Sequence, residues 1–536
     1  MDLAAAALTA GILTPPALAW ARDTAGQAGD RRLGTLTTGL LFGSSLLALA
    51  AALLMEPIRL MLADASPILG LAPGAVAAGF LLDRVGLVMA ALIGVVGAAT
   101  TAFAARSLVG DPGRPTFLRW FAVTIAAAQV LVLSANLAQV ALAWLLISAG
   151  LHRLLLHHGE RPRAVLAART KFVISRLGDL GLLVAMGELL YAGRTLDLLA
   201  LGALASSPAL AAALPVAATG LVIAAVCKSA IFPLHVWLPE TLEAPTPVSA
   251  LMHAGIVNAG GFLLIRTSSL LAEVPLVLDT LLILGAITAA LGMLAMWAQT
   301  EVKKALAWST VGQMGFMMVE CGLGAFAAAL IHLIGHAGYK AHAFLRSGSP
   351  TSAVAPLPAP VGSLGGAAGR FALAAVMATA LVGGLAYLSG HLAGGAVLLL
   401  ALGLGLAQVW RAPAASLVAR TVAVVLLAVA LVPLLGAVHA WFHLPAVADP
   451  LARGATGWLA GGLTAVVLIA LAGFSALSPW LAPRATALKV HARHGFYLGH
   501  AAERALVACW PLPTAAAAPD VSAERPAVPA PAPVTA

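Results

Sequence analysis

The sequence predicts an all-α polytopic membrane protein with about 13–15 transmembrane helices, at least one of them broken near Lys228–Pro239. Three observations carry that prediction. The 536 residues are 61% hydrophobic and only 10% charged, far from the roughly 25% charged usage of soluble domains. Apolar runs of about 20 residues, the length that crosses a bilayer core, recur along most of the chain. Two lysines fall inside such runs, and prolines follow one of them closely.

Taken in order, spans are expected at about 2–20, 34–55, 84–106, 117–135, 136–156 and 172–192, with a weaker candidate around 66–82. The run from Leu3 to Trp20 lacks a basic leading stretch, so it reads as a first span in preference to a signal peptide. Further runs cover 210–232, 246–272, 275–297, 303–323 and 325–346. The Pro- and Gly-bearing stretch Ser347–Gly369 reads as a loop, and four more spans follow at 370–389, 392–410, 418–437 and 456–478. From Pro483 the chain becomes basic and partly amphipathic, suited to a membrane surface or a partner, and then ends in a Pro/Ala-rich stretch expected to be disordered. This divides the chain into N-terminal membrane helices (1–82), a core (83–350), C-terminal membrane helices (370–480) and a surface segment with its tail (481–536).

The formal charge of +9 sits largely on arginines in short loops, such as Arg161, Arg163, Arg169 and Arg176. It reads as loop anchoring under the positive-inside rule, and no nucleic-acid partner is expected. The three cysteines, Cys227, Cys321 and Cys509, show no ligand spacing, so neither a disulfide framework nor a metal site in this chain is expected.

The densest stretch for chemistry is CKSAIFPLHVWLPETLEAPTPVSALMHAGIVNAGGFLLIR, from Cys227 to Arg266. Pro233 and Pro239 each remove an intrahelical hydrogen bond, so a helix carrying Lys228 must break beside it. Broken backbone at membrane depth survives only when buried in protein or lining water, which makes Lys228 a candidate proton relay. A second break is expected at Pro245 and Pro247, with Thr246 and Ser249 as capping side chains and His253 about two turns into the new helix. In IHLIGHAGYKAHAFL, His332, His336 and Lys340 stand four apart and share one helix face over about 12 Å. Tyr339 and His342 lie off that face. Glu301, Lys303 and Lys304 at a helix entrance read as interfacial anchors, and Gly260-Gly261 and Gly394-Gly395 as packing glycines.

These blocks, with FLLDRVGLVM and RWFAVTIAAAQVLVLSAN, resemble the proton-conducting membrane family of complex I antiporter-like (NuoL-type) and Mrp subunits over about residues 80–350. The resemblance implies that Lys228 is the family's broken-helix lysine and that His253, His332, His336 and Lys340 lie on its central polar axis. Two departures stand out. The family's glutamate after the tryptophan is replaced: Trp144 is followed by Leu145, so Lys228 needs another counter-ion, with Glu188, Glu240, Glu243 or a partner protein as candidates. No lysine occurs between Lys340 and Lys489, so the family's distal lysine is missing, and the chain leaves no room for the long lateral helix of the NuoL type.

The motifs LMHAGIVNAGGFLLIR, YKAHAFLRSGS and HARHGFYL are similar to those of one offshoot, the DabB-type membrane subunits of DAB inorganic-carbon accumulation complexes. That resemblance implies a multi-pass protein of the bacterial inner membrane, not an enzyme by itself, that conducts H+ or Na+ for a DabA-like zinc protein related to β-carbonic anhydrase. The zinc is then expected in the partner, with no cofactor in this chain. The alternatives are a proton-pumping subunit of a respiratory or hydrogenase complex and a non-conducting scaffold.

Overall fold

A computed structural model describes residues 26–348, 363–389, 395–410, 417–481 and 485–511. The span expected at 2–20, Gly394 and the Pro/Ala-rich end lie outside these residues, as does most of the expected loop before Gly369. Within them the all-α polytopic architecture holds. Nine helices among the described residues are long and apolar enough to cross a membrane, and Leu214–Lys228 and Val397–Leu406 are shorter apolar helices.

Helix α1 (Gly26–Leu54) leads into a departure from expectation. The stretch around 66–82 is not a span: β1 (Ile58–Asp64) and β2 (Ala77–Leu82) pair antiparallel as a hairpin. Its turn closes on Asp64, whose carboxylate accepts the backbone N–H of Ser66 (2.9 Å) and of Gly74 (2.8 Å). Gly70 and Gly74 take the left-handed backbone such a turn requires. The hairpin is fixed to the bundle by Arg59 on Asp197 (2.7 Å) and by Asn136 Nδ2 donating to the Ala75 carbonyl (3.1 Å).

The central helices follow closely. Asp83 caps α2 (Arg84–Ser107) by accepting from Gly86 N, and α3 (Arg114–Leu133) ends at the extended Ser134. Asn136 caps α4 (Leu137–Leu155) through Ala138 N, which fits the expected joint between two spans. Helix α5 (Pro162–Gly193) starts ten residues before the expected 172, because Pro162 suits a first helical turn and the polar residues that hid the helix in the sequence find partners along it. After the short α6 (Leu198–Leu204), α7 (Leu214–Lys228) stops at Lys228 itself.

The break is bonded at four points. Ser229 N reaches the Ala225 carbonyl (2.8 Å), Ile231 N the Val226 carbonyl (3.1 Å), Phe232 N the Thr288 hydroxyl (3.0 Å), and Trp237 Nε1 donates to the Cys227 carbonyl (3.2 Å). Such closure lets irregular backbone persist where water cannot satisfy it. The expected run at 246–272 is likewise interrupted, into α8 (Thr246–Ala254), a tight turn Ile256–Asn258, α9 (Ala259–Arg266) and α10 (Ser268–Ala272). Thr246 and Ser249 do not cap α8. Pro245 occupies the cap position, and its carbonyl receives Val248 N and Ser249 N instead.

Helices α11 (Pro275–Ala298), α12 (Val302–Gly322) and α13 (Phe326–Leu345) complete the core. The distal group is α14 (Leu364–Ser389), α15 (Gly395–Trp410), α16 (Leu417–Trp441) and α17 (Ala455–Leu481). Helix α14 begins before the expected 370 because Ser363 Oγ accepts from Gly366 N and starts the helix through a glycine-rich stretch. A buried pin joins distal group to core: Arg453 Nη1 donates to the Gly322 carbonyl (2.7 Å) and to Asp279 (3.3 Å), and Thr456 Oγ1 donates to the other Asp279 oxygen (2.8 Å). The amphipathic end forms α18 (Thr486–Arg493) and α19 (Leu498–Cys509), which lie back on the core.

Gly260 and Gly261 act as packing glycines. A Cβ at Gly260 would stand 2.3 Å from Ser229 Oγ and 2.5 Å from the Ala225 carbonyl, so α9 crosses α7 backbone to backbone at the break. Gly260→Val is therefore expected to lower the thermal midpoint of the detergent-solubilised chain, at an overpacking cost of about 1–3 kcal/mol. An unchanged midpoint would mean that this crossing is looser than described.

Candidate functional site

Lys228 ends α7 with its side chain 6% exposed. Its ammonium has two contacts, both from Trp144: the Nζ lies 3.5 Å from the Trp144 carbonyl and 4.3 Å from the centre of the indole. Cation–π attraction strengthens where water is excluded, so the ring is a stabilising neighbour. Leu145, at the position where the resemblance expects a glutamate, is 38% exposed and turned out of the core.

The carboxylate whose charge reaches Lys228 is Asp179 on α5. Helices α5 and α7 touch just before these two residues: a Cβ on Gly178 would meet the Cys227 Cβ at 2.8 Å. Asp179 also binds Arg176 (2.6 Å), and Lys171, one helix face away, donates to the Ser148 carbonyl (2.6 Å) and hydroxyl (2.7 Å). Arg176 pairs with Asp179, and Lys171 and Lys228 feel the same carboxylate's charge, so the displacement of any proton or cation alters the energy of the others.

The three carboxylates proposed from sequence sit elsewhere. Glu243 pairs with Arg161 (2.9 Å) at the protein surface. Glu240 lines a surface vestibule, and Glu188 lies about two and a half turns beyond Asp179 on α5. Asp179 meets the criterion that marks Lys228, an ionisable side chain within an apolar run, but it lies outside the Cys227–Arg266 motif stretch.

A second cluster centres on α8 and α13. His253 Nδ1 lies 3.1 Å from Thr310 Oγ1, its ring stacks on Phe344 (4.3 Å between centres), and its carbonyl receives His336 Nε2 (3.2 Å). His332 and His336 have ring centres 6.1 Å apart. His332 is held between Glu320 on one ring nitrogen (2.9 Å) and Gln313 on the other (2.9 Å), both from α12. Lys340 is fully buried and donates to the Leu306 carbonyl (3.1 Å), while Tyr339 is exposed, as its place off the stripe implies. Glu320, Gln313 and Thr310 are further polar partners that sequence reading missed. They lie on a neighbouring helix at the heights of the stripe, information that periodicity along one helix does not contain.

The two clusters meet where the two breaks touch: Ser229 Oγ donates to the Val257 carbonyl (2.7 Å). The prolines bracket this region. Pro233 opens a short turn, Leu234–Trp237, Pro239 lines the vestibule, and Pro245 and Pro247 start α8. The vestibule is a cavity of about 430 Å³ between Arg163, Glu240, Lys304 and Trp308 on the core and Arg493 and His500 on the C-terminal segment. Lys304 and Trp308 flank Leu306 on α12, so the Lys340 ammonium lies within a turn of this cavity. The arrangement can move a proton or small cation along buried groups whose charges are mutually coupled.

Residues 134–417 match the model of the NADH:quinone oxidoreductase/Mrp antiporter transmembrane family. A probable inorganic carbon transporter subunit DabB2 of Halothiobacillus neapolitanus is 47% identical over 245 residues, 46% of this chain and 44% of that protein. A probable subunit DabB of Hydrogenovibrio crunogenus is 45% identical over 234 residues, 44% of this chain and 45% of that one. An NAD(P)H-quinone oxidoreductase chain 5 of Synechocystis is 40% identical over 245 residues, covering 45% of this chain and 36% of the other. Each alignment therefore spans less than half of the relative's length. Among solved structures, the Mrp complex from Dietzia superposes with TM-score 0.58 at 25% identity, over 95% of this chain and 56% of that one. An archaeal membrane-bound sulfane sulfur reductase shares the fold, with TM-score 0.55 at 18% identity, over 86% of this chain and 75% of that one.

The His332–Glu320 pair offers a test of the second cluster. In a double-mutant cycle of Glu320→Gln and His332→Gln, the costs of the two single changes are expected to sum to more than the cost of the double change, by a coupling of about 1–3 kcal/mol. Additive single effects would mean that the two side chains do not act as a pair.

Proposed function

From the premise that this chain belongs to the NADH:quinone oxidoreductase/Mrp antiporter transmembrane family, we propose that it is the ion-conducting subunit of an energy-coupled inorganic-carbon accumulation complex in a bacterial inner membrane. H+ or Na+ moves down its gradient through Lys228, His253, His336, His332 and Lys340. The energy drives a DabA-like zinc partner, related to β-carbonic anhydrases, that interconverts CO2 and bicarbonate. One charge crossing 100 mV releases about 2.3 kcal/mol, enough to bias such a hydration step.

The observation that carries this reading is the altered lysine site. Lys228 keeps its place at the end of a broken helix, but its carboxylate is Asp179, already engaged by Arg176, and Leu145 faces outward. A switch in which one free carboxylate hands its charge to the lysine is replaced here by a shared one. The relay then favours a subunit that passes ions to an attached partner over a long-range pump module. The names of the DabB relatives support the same assignment, and the chain's own chemistry is ion transfer: Asp179 holds the Lys228 charge, the Trp144 ring and carbonyl orient the ammonium, and Thr310 and Phe344 fix the His253 ring.

The second reading is a proton-pumping subunit of a respiratory or hydrogenase complex, favoured by the 40% identity to a quinone oxidoreductase chain. The two separate in one assay. Carbon uptake by cells carrying this chain and its partner, measured with and without an uncoupler, is expected to collapse on uncoupling. Uptake indifferent to the uncoupler overturns the first reading, and uncoupler-sensitive quinone reduction without carbon uptake selects the second.

Two substitutions follow. Lys228→Ala is expected to abolish CO2-dependent growth rescue while the chain still inserts into the membrane; normal rescue would sink the role given to Lys228. Asp179→Asn is expected to slow ion flux in proteoliposomes of the complex by roughly tenfold, an increase of about 1.4 kcal/mol in the barrier. Asp179→Glu should retain part of the flux, and full flux in Asp179→Asn would return the counter-ion to the partner protein.

A further inference from the structure

Among the described residues, the polar axis comes within a turn of a large cavity at the vestibule end, next to Lys340. The vestibule lies at the Thr246 end of the α8–α9 segment, and a second cavity of about 450 Å³ lies at the opposite, Arg266 end. That second cavity is lined by Glu56, Asp83, Arg84, Arg266, Trp441 and His443. Between it and His253, which adjoins Ala254, lies a cavity of about 40 Å³ bounded by Met89, Leu92, Leu131, Phe262, Leu333 and Asn258. It has room for water, since a single water needs roughly 10–15 Å³ of such space, but a water there would find few of the polar partners it needs.

Two polar side chains line it: the Thr124 hydroxyl is engaged with the Trp120 carbonyl (2.7 Å), and Asn258 is left partly unsatisfied. The residue is 2% exposed, its Nδ2 donates to the Ala254 carbonyl (2.8 Å), and its Oδ1 is buried without a partner. A lone acceptor in a dry space is costly and is satisfied as soon as water enters. Arg266 forms the wall between this seam and the outer cavity. Its Nη1 donates to Asp83 and its Nη2 to the Val132 carbonyl (3.1 Å), and Val132 itself lines the seam. One guanidinium therefore ties the end of α9 to the start of α2 and the end of α3, between the seam and the outer cavity.

We propose that the Arg266–Asp83 pair and the carbon-lined seam behind it are the closed gate between the polar axis and the cavity at the Arg266 end. Separation of the pair lets water wet the seam up to Asn258, and the wetted seam carries the ion between the His253–His336 level and the outer cavity. Carbon-lined constrictions gate by dewetting in this way. The ion passage rests on the conducting reading above, whereas the gate's water access does not.

The test reads water access directly. In the full chain, with Cys227, Cys321 and Cys509 changed to Ser, an Asn258→Cys thiol is probed in membranes with an impermeant thiol reagent and no ion gradient. The thiol is expected to be protected while Arg266 and Asp83 are intact. Arg266→Gln, and independently Asp83→Asn, should raise its labelling about tenfold, the change given by roughly 1.4 kcal/mol of lost closure. Asp83→Asn keeps a side-chain oxygen for the α2 cap, so it reports even where Arg266→Gln fails to reach the membrane. Fast labelling with the pair intact, or protection that survives both substitutions, overturns the gate. Labelling that rises as expected in a chain that conducts no ion leaves the gate standing and overturns the conducting role.

Discussion

Everything in this molecule is arranged around a charge that cannot be left alone: the Lys228 ammonium, held out of water at the end of a helix that stops beneath it. An isolated buried cation in a low-dielectric interior is costly, and so is a helix end without partners for its last carbonyls. Both costs fall on the same few residues. Trp144 offers the ammonium a carbonyl and a ring, Asp179 offers a charge, and Thr288, Trp237 and Ser229 close the hydrogen bonds that the break exposes. The bare glycines at 178 and 260 let the neighbouring helices come near enough to do this.

The same closeness couples the charges of the site. Lys171, Arg176, Asp179 and Lys228 form one electrostatic group, and Ser229 joins its break to that of α8 and α9, beyond which stand His253, His336 and His332 with Glu320. A change of protonation at one group alters the energy of its neighbours over a few ångströms of low-dielectric protein, which couples titrations that would be independent in water. The distal helices add no lysine to this system. Their buried contribution is mechanical, through Arg453 on Asp279 and the Gly322 carbonyl.

Much of this was legible without coordinates. Apart from the start of α5 and the interrupted run at 246–272, apolar runs located the helices of the core to within a few residues, and prolines after Lys228 located the break, because lipid-length apolarity and a missing backbone donor are local properties. The four-residue spacing of His332, His336 and Lys340 did put His336 and Lys340 inside, with Tyr339 out, as helical geometry requires. The misreadings share a cause. The hairpin at 58–82 is apolar but turns on Asp64 and two left-handed glycines, a backbone arrangement that hydropathy does not register. The early start of α5 was masked by polar residues whose partners lie on other helices.

The sequence by itself determined that the chain lives in lipid, where its helices run, and that a lysine stands at a broken helix, since each follows from the residues adjacent in the chain. Which carboxylate answers that lysine was decided by tertiary structure alone. Glu188, Glu240 and Glu243 were as plausible as Asp179 along the chain, but electrostatic interaction falls with distance in space, and only the contact of Gly178 with Cys227 sets Asp179 beside Lys228. The dry seam at Asn258 is likewise a property of six helices together, and no single stretch of sequence encodes it.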